Sequence, residues 1–555
     1  MDYLSPIPSR VLKIVQISLL LVAAVFLALH GLHLKADFPS YSPWMDWSKY
    51  TDEGWYGDAA IRHFQRGHWY VPGDFNPAAA LPVWPLIESV VFRFTGVSLV
   101  AARALTVGIF ALILLACWLL LQRWQRLSAP VGEERSISLT PTVAVLLLAV
   151  SPFCYAFSRL AILEPILILL TLLAFLAASY ATPEQGSISS SRRARHQRIV
   201  STLFLGLLLP LMVLTKTTAV FLFPAIGWIL WARAGYHLRS FVRLCLPVAV
   251  LAAAIWLGYY GFIVRPHFLS DYRYLFSANA YTGITSENAF SVLRDTFANG
   301  RWIGPILYPL ALVAILMALL FTPRILRNPV IPALILWAAG YVAFLAYHNN
   351  LQPRYYLVVA VPLTMLVPIV FEDIWRHGRI IAPLQHLVAA LAVAALAILA
   401  VSDARQTLHY VRNPEYTFAR AASKIHDIVS ADHMHNPLVL SISGSDLSLM
   451  TGLPSICDDF GTMDLAVRVR AYQPGWYVTW NQVDDDKMDA LTPMYHLQRV
   501  AAFPAMDDPE RNLLILYRLD PVSPETLQHP HRRKPLPRLL QTRMGQQPSA
   551  TQLEH

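Results

Sequence analysis

A small set of acids and bases stands at the ends of long apolar segments in this sequence. The acids are Asp52, Glu53 and Glu164, and the bases are Arg159, Lys216 and Arg354. A carboxylate can take a proton from an attacking hydroxyl, while Lys and Arg can stabilise the charge that grows on a departing phosphate. The set therefore suits a displacement at a carbon atom that is bonded to phosphate.

The composition is that of a polytopic membrane protein. Of the 555 residues, 55% are hydrophobic and 14% are charged, which is too apolar for a soluble multidomain enzyme. The net charge is +9, but no basic domain with interleaved aromatic residues occurs, so nucleic acid is excluded as a partner and the bilayer is expected instead. The four cysteines offer neither a disulfide framework nor a CxxC metal site.

Apolar windows long enough to cross a bilayer recur as far as residue 401. A hydrocarbon core about 30 Å thick needs roughly 20 apolar residues in a helix. We predict about eleven spans, near residues 12–32, 101–123, 140–158, 163–180, 200–215, 217–232, 244–263, 303–321, 330–347, 355–371 and 380–401. The first lacks an A-x-A cleavage pattern and is interpreted as an uncleaved anchor.

Basic residues set the predicted orientation. If the N-terminus with Arg10 and Lys13 is cytoplasmic, every connection assigned to the cytoplasm carries arginines, as the positive-inside rule requires. These arginines are Arg123 and Arg126, Arg192, Arg193, Arg195 and Arg198, Arg233, Arg239 and Arg243, Arg324 and Arg327, and Arg376 and Arg379. The catalytic set then falls on the opposite face, where charged groups near a membrane are usually placed in cavities or pathways.

Three segments are expected outside the membrane on that face. In the first loop, residues 33–100, Leu86, Val90 and Phe94 repeat at helical spacing and predict an amphipathic interfacial helix. The second segment, residues 265–301, ends at Arg301. In the third, residues 402–524, short strands such as GWYVTW and NLLILYRL and a helix near 417–429 predict a small α/β domain. Residues 525–555 form a polar, Pro-rich tail that we expect to be disordered.

A lipid-linked donor fits an active site on the outer face. Nucleotide sugars are cytoplasmic, so an enzyme that works on the other side needs a donor delivered through the membrane. A sugar on a polyprenyl phosphate meets this need, because its lipid lies between the spans and its phosphate lies at the headgroup level.

Several stretches resemble the bacterial C-type glycosyltransferases, which include the lipid A aminoarabinose transferases and relatives of the protein O-mannosyltransferases. They are DEGWY, GHWYVPGDFNP, LPVWPLIESVVFRFTGVSLVAAR, SRLAILEP, LTKTTA and PRYYLVVAVP, and the resemblance covers roughly residues 10–400. It implies a transmembrane catalytic domain, residues 1–401, in an inner membrane, with the active site and the C-terminal domain in the periplasm. It also implies inverting transfer of a sugar from a polyprenyl-phosphate donor to a hydroxyl of lipid A, another envelope glycan or a protein.

The same resemblance assigns roles to single residues. Asp52 matches the catalytic aspartate, Glu53 its partner, Glu164 a second acidic position, and Lys216 and Arg354 the contacts to phosphate. One departure is LPVWP, residues 81–85, where many aminoarabinose transferases have Lys-Pro-Pro. The lysine of that pattern is missing, so Lys216, Arg354, Arg159 or Arg301 must replace it, and His68 is a further candidate for substrate contact. These residues are substitutes only if they share one site.

Other interpretations of the same residues remain open. Asp52 and Glu53 are typical of a helix start, as is Glu164 before Pro165, and Lys216 can complement a helix C-terminus. No metal is required by the proposed chemistry, although the three acids could assemble a divalent cation site. A secondary transporter, which would predict inverted repeats with broken helices, and a non-catalytic membrane sensor or assembly protein are the alternative functions.

Overall fold

The structure is a computed structural model of the chain. It describes residues 9–39, 42–44, 52–128, 138–181, 192–278, 284–321, 329–348, 351–377, 382–442, 444–506 and 511–522. The predicted tail, residues 525–555, lies outside these residues.

A helical body precedes a small domain with a β-sheet. The helices of the body are α1 Ser9–His30, α2 Glu53–Arg66, α3 Val83–Thr95, α4 Leu99–Ser128, α5 Thr140–Val150, α6 Pro152–Phe157, α7 Leu163–Ser179, α8 Arg192–Thr215, α9 Phe223–Arg233, α10 Leu238–Tyr259, α11 Leu269–Ala278, α12 Ala289–Asn299, α13 Leu307–Phe321, α14 Val330–His348, α15 Leu357–His377 and α16 Ala382–Arg412. Among the described residues, they are connected by a π-helix, Tyr260–Phe268, and by the 3-10 turns Pro77–Ala79, Thr217–Leu222, Gly300–Ile303 and Pro353–Tyr356.

The prediction of a polytopic helical membrane protein is confirmed, and an apolar helix occurs at each predicted span. Within the described ranges, seven helical segments are long and apolar enough to cross a membrane, and an eighth arises if the pair α12 and α13, bent by 111°, is counted as one span. The segments at residues 140–150, 163–179 and 217–233 are apolar but shorter. The predicted span 140–158 is interrupted at Pro152, which starts α6, because proline lacks the N–H that would continue the hydrogen bonding of α5.

The short helices lie inside the body. Helix α7 buries nearly every residue, as expected of a helix that is apolar on all sides. By contrast, α3 has one buried side with Trp84 and Phe92 and one apolar side exposed through Leu86, Val90 and Phe94. The amphipathic helix predicted in the first loop is therefore confirmed.

The C-terminal elements form the predicted α/β domain. They are α17 Thr417–Ala431, β1 Val439–Ser441, α18 Ser445–Thr451, β2 Ser455–Cys457, α19 Leu465–Tyr472, β3 Trp476–Trp480, α20 Asp485–Leu491, β4 Tyr495–Pro504 and β5 Leu513–Pro521. The strand order is β2-β1-β3-β5-β4. Strands β2, β1 and β3 are parallel, while β5 runs antiparallel to β3 and β4.

The last helix of the body runs past residue 401. Helix α16 continues to Arg412, and its last turns are anchored where Thr407 donates a hydrogen bond to the Val150 carbonyl at 2.7 Å. The domain's own elements begin at α17, and its helix α18 packs against α2 in the first loop.

Candidate active site

Asp52 and Arg354 form an ion pair that joins the first loop to the start of α15. Asp52 is the residue before α2, and Arg354 lies in the 3-10 turn Pro353–Tyr356. Arg354 Nη2 lies 2.5 Å from Asp52 Oδ2, with 4% of the arginine side chain and 22% of the aspartate side chain exposed. The guanidinium is thus held inside the protein while its carboxylate partner remains accessible.

Glu164 and Lys216 form a second pair beside the first. Glu164 lies in the first turn of α7, and Lys216 is the residue between α8 and the turn Thr217–Leu222. Lys216 Nζ contacts Glu164 Oε1, and the Glu164 side chain is fully buried. Within the described part of the chain, Glu164 Oε2 has no hydrogen-bond partner, so one carboxylate oxygen remains able to accept a further hydrogen bond.

The ring of Tyr355 connects the two ion pairs. Lys216 Nζ lies 4.3 Å and the Arg354 guanidinium carbon 5.0 Å from the ring centroid, distances at which a cation is attracted to an aromatic face. Tyr56, on the first turn of α2, adjoins this group. Burial and the negative charge of Asp52 raise the pKa of Tyr56 well above its usual range, so its phenol stays protonated. Two carboxylates, two cations and two tyrosines therefore meet in one cluster, which we call the paired-charge site.

Glu53 has a different environment from Asp52. Its carboxylate accepts two hydrogen bonds from Arg103, at 2.8 Å from Nε and 2.6 Å from Nη2, and a third from the Ala161 backbone N–H at 2.9 Å. Arg103 also donates to the backbone carbonyls of Leu34 and Ala36. Glu53 thereby fastens the start of α2 to α4 and to the turn that precedes α7, which holds Asp52 beside Glu164.

The three remaining candidates lie in three different settings. Arg159 is buried and donates to the Tyr155 hydroxyl and to the His33 carbonyl, so it contacts protein groups. Arg301 is exposed on the turn Gly300–Ile303, which packs against the turn that carries Arg354. His68 is exposed beyond the C-terminal end of α2, roughly 20 Å from Asp52 by the 1.5 Å rise per helical residue. The structure brings Arg301 toward the paired-charge site and keeps His68 away from it.

The acids do not converge as a cation site. No group of three or more His, Cys, Asp and Glu side chains is placed to hold a metal ion within the ranges that the structure describes. Each of the three carboxylates instead has its own cationic partner, Arg354, Arg103 or Lys216. The donor set is therefore arranged for ion pairs with protein cations.

Sequence reasoning missed Glu88 on α3. Its side chain is fully buried, and neither oxygen has a hydrogen-bond partner among the described residues. Burial, followed by the nearby charge of Glu53, raises the pKa of Glu88 well above its usual range. The carboxyl lies directly against Gly57 of α2, where a Cβ atom would collide with it. An acid in the apolar run LIESVVF is the sequence signal that could have identified it.

Comparison with known proteins agrees with this architecture. ArnT from Cupriavidus metallidurans in its apo state has a TM-score of 0.57 and 14% sequence identity, over 90% of this chain and 97% of ArnT. The chain therefore shares the fold of ArnT. The ArnT structure bound to undecaprenyl phosphate gives a TM-score of 0.51 at the same identity and coverage. The resemblance predicted from the motifs is confirmed.

Two further comparisons extend this result. The Archaeoglobus fulgidus oligosaccharyltransferase tethered to an acceptor peptide has a TM-score of 0.50 and 11% identity, over 93% of this chain and 75% of that one. Residues 133–263 match the model of the dolichyl-phosphate-mannose-protein mannosyltransferase family. Of the paired-charge site, this match includes Glu164 and Lys216. Comparison with curated proteins gave no match.

Proposed function

We propose that this protein is a membrane glycosyltransferase that moves a sugar from a polyprenyl-phosphate donor to an acceptor hydroxyl. The observation that carries the proposal is the paired-charge site, in which an accessible carboxylate lies beside two buried cations. Its C-type fold supports the proposal, and the related ArnT structure contains undecaprenyl phosphate, a lipid of the expected donor class.

Asp52 is the residue that we assign as the general base. As the acceptor oxygen bonds to the anomeric carbon, its proton passes to the Asp52 carboxylate. The bond from the anomeric carbon to the phosphate oxygen breaks, and the electron pair leaves with the polyprenyl phosphate. Arg354 and Lys216 stabilise this anion, which places positive charge where negative charge develops.

The surrounding residues favour a single displacement with inversion. A double displacement needs a second carboxylate on the opposite face of the sugar, about 5 Å from the first. Glu53 does not suit that role, because Arg103 and the Ala161 N–H occupy its carboxylate. Glu164 Oε2 is suited to accept a hydrogen bond from a sugar or acceptor hydroxyl. We propose that Arg301, exposed on the turn beside that of Arg354, contacts the phosphate from outside.

We propose that the site and the C-terminal domain face the periplasm and that no metal is required. The positive-inside pattern supports this orientation, and the protein's own cations can provide the charge stabilisation that a metal ion would otherwise supply. Cysteines introduced by His68→Cys and Arg195→Cys, both at exposed positions, should be labelled from opposite sides of the membrane. Labelling from the same side would refute the orientation.

Deleting the gene and comparing lipid-linked sugars and envelope glycans by mass spectrometry tests the function. A transferase predicts that one polyprenyl-phosphate sugar accumulates and that one glycan loses a sugar. Returning to the deletion strain a gene that encodes the Asp52→Asn protein should leave both defects. A gene that encodes the Asp295→Asn protein, a matched change on the exposed surface of α12, should repair them. If the Asp52→Asn protein repairs both defects, a transporter or sensor function is favoured instead.

A further inference from the structure

The N-terminus of α2 is capped by a residue of the C-terminal domain. The first N–H groups of a helix lack partners inside it, and an Asp just before the helix usually accepts from the second or third of them. Asp52 occupies that preceding position but makes no such hydrogen bond. Instead, Asp446 Oδ1 accepts from the backbone N–H groups of Gly54, at 2.5 Å, and Trp55, at 3.2 Å.

The local packing is built for this contact. Asp446 lies in the first turn of α18 and is buried. A side chain on Gly54 would collide with the Ser445 carbonyl, so glycine is required for α18 to approach α2 this closely. Ser445 Oγ also donates to Asp58 on α2. The cap is therefore part of a continuous contact between the two helices.

Buried ion pairs hold the same two parts of the protein together. Arg62 on α2 pairs with Asp58 at 2.7 Å and with Asp74 at 2.5 Å, and Asp74 pairs with Arg468 of α19 at 2.9 Å. At most 4% of any of these side chains is exposed. The C-terminal domain is thus fixed to the loop that carries Asp52.

We infer that Asp446 is a positioning residue for the transfer reaction: by capping α2 in place of Asp52, it leaves the Asp52 carboxylate turned toward Arg354. This inference rests on the proposed function. Without Asp446, the N–H groups of Gly54 and Trp55 are left for Asp52, which occupies the N-cap position, because the carboxylate of Glu53 is held by Arg103 and the Ala161 N–H. Asp52 would then turn away from the acceptor and from Arg354 to cap its own helix.

The expected loss follows from the strength of an N-cap. Replacing such a residue by Ala shifts an equilibrium by about 2- to 30-fold, so Asp446→Ala should lower the transfer rate by about that factor. The affinity for the donor should change little, because Lys216 and Arg354 remain in place. Asp446→Asn keeps the accepting oxygen and should restore most of the rate. Gln65→Ala removes a different hydrogen bond between α2 and the α18 segment, to the Gly452 carbonyl, and should leave the rate unchanged.

The assay uses membranes of the deletion strain as the source of accumulated donor and acceptor. Purified full-length variants are added, and consumption of the polyprenyl-phosphate sugar is followed by mass spectrometry. In the Asp52→Asn background, adding Asp446→Ala should lower the residual rate no further, because the cap acts through Asp52. A wild-type rate for Asp446→Ala, an equal loss for Asp446→Asn, or a further loss in the double variant would overturn the inference.

A second measurement separates this inference from the proposed function. In the wild-type protein the Gly54 and Trp55 amides should be protected from hydrogen exchange, and replacing Asp52 by Ala should leave that protection in place. In the Asp446→Ala protein, where Asp52 takes over the cap, the same Asp52→Ala change should remove the protection. Unprotected amides in the wild-type protein would overturn the inference even if transfer is observed. An inactive wild-type protein with the expected protection would instead overturn the proposed function. If Asp446→Ala does not accumulate, Asp446→Leu replaces it, because leucine has a similar shape but no accepting oxygen, and a wild-type rate for that variant would overturn the inference.

Discussion

Removing only the cation of the Glu164–Lys216 pair should destabilise the protein strongly. Glu164 is fully buried and its pair partner Lys216 is nearly so, with 10% of the lysine side chain exposed. Breaking a buried pair by deleting one partner typically costs about 3–5 kcal/mol, because the other charge is left uncompensated. We therefore expect Lys216→Met to lower the free energy of unfolding by about that amount.

The reverse change should cost less. In Glu164→Gln the lysine can still donate to the amide oxygen, and its contact with the Tyr355 ring remains. The double variant Lys216→Met/Glu164→Gln has no buried charge at the site, and its stability should return to within about 1–2 kcal/mol of the wild type, since apolar or neutral replacements of a buried pair are often tolerated.

Thermal and denaturant unfolding of the four proteins in one detergent would measure these differences, with the transfer assay run in parallel. The double variant should recover its free energy of unfolding but not its transfer rate, because it lacks a phosphate-stabilising cation. The reasoning is refuted if Lys216→Met is as stable as the wild type, or if the losses in the single variants simply add in the double variant.

Three other changes test separate features. Burial raises the pKa of Glu88, so its neutral form stabilises the fold fully below about pH 4, the ordinary pKa of Glu, and this stabilisation is lost as the pH rises toward the folded pKa. Glu88→Gln should therefore flatten the fall in thermal stability between pH 5 and 9. An unchanged slope would contradict this. Gly57→Ala should lower stability by about 1–3 kcal/mol through overpacking against Glu88, measured by thermal unfolding. The comparison is Gly108→Ala, an exposed helical glycine whose added Cβ meets open space, and equal losses would show that the close contact is unimportant. Tyr355→Leu should weaken binding of undecaprenyl phosphate, because the ring orients both cations, while Tyr355→Phe should bind normally. Native mass spectrometry measures this binding. Equal binding by both variants would argue against a role of the ring in orienting the cations.

The outline of the fold could be predicted from local sequence. An apolar helix was predicted wherever about 20 apolar residues follow one another, because the bilayer core imposes that length on any chain that crosses it. Similarly, the four-residue spacing of Leu86, Val90 and Phe94 was sufficient to predict α3, since amphipathic spacing is a local property. Strands β1, β3, β4 and β5 were visible as short alternating or apolar runs. Strand β2 gave no such pattern, because its three residues lie between Pro454 and Asp458.

The pairing of charges could not be predicted in the same way. The sequence identified Asp52, Glu53, Glu164, Lys216 and Arg354, but it did not show that Glu53 pairs with Arg103 while Asp52 pairs with Arg354. Adjacent residues at a helix start point in different directions, so the partner of each depends on which neighbouring helix it faces. Asp446 gave no signal, because a residue of the motif SISGSD becomes a helix cap only once α18 lies against α2.

By itself, therefore, the sequence determined that this is a polytopic helical protein with acids and bases at the ends of its spans and an α/β domain at its C-terminal end. The tertiary structure alone decided which of these groups meet: Asp52 and Arg354 are 302 positions apart, and Gly54 and Asp446 are 392 apart. The physical reason is that hydropathy and periodicity act within a few helical turns, whereas the contacts between ion pairs and caps arise only when packed helices bring distant turns of the chain together.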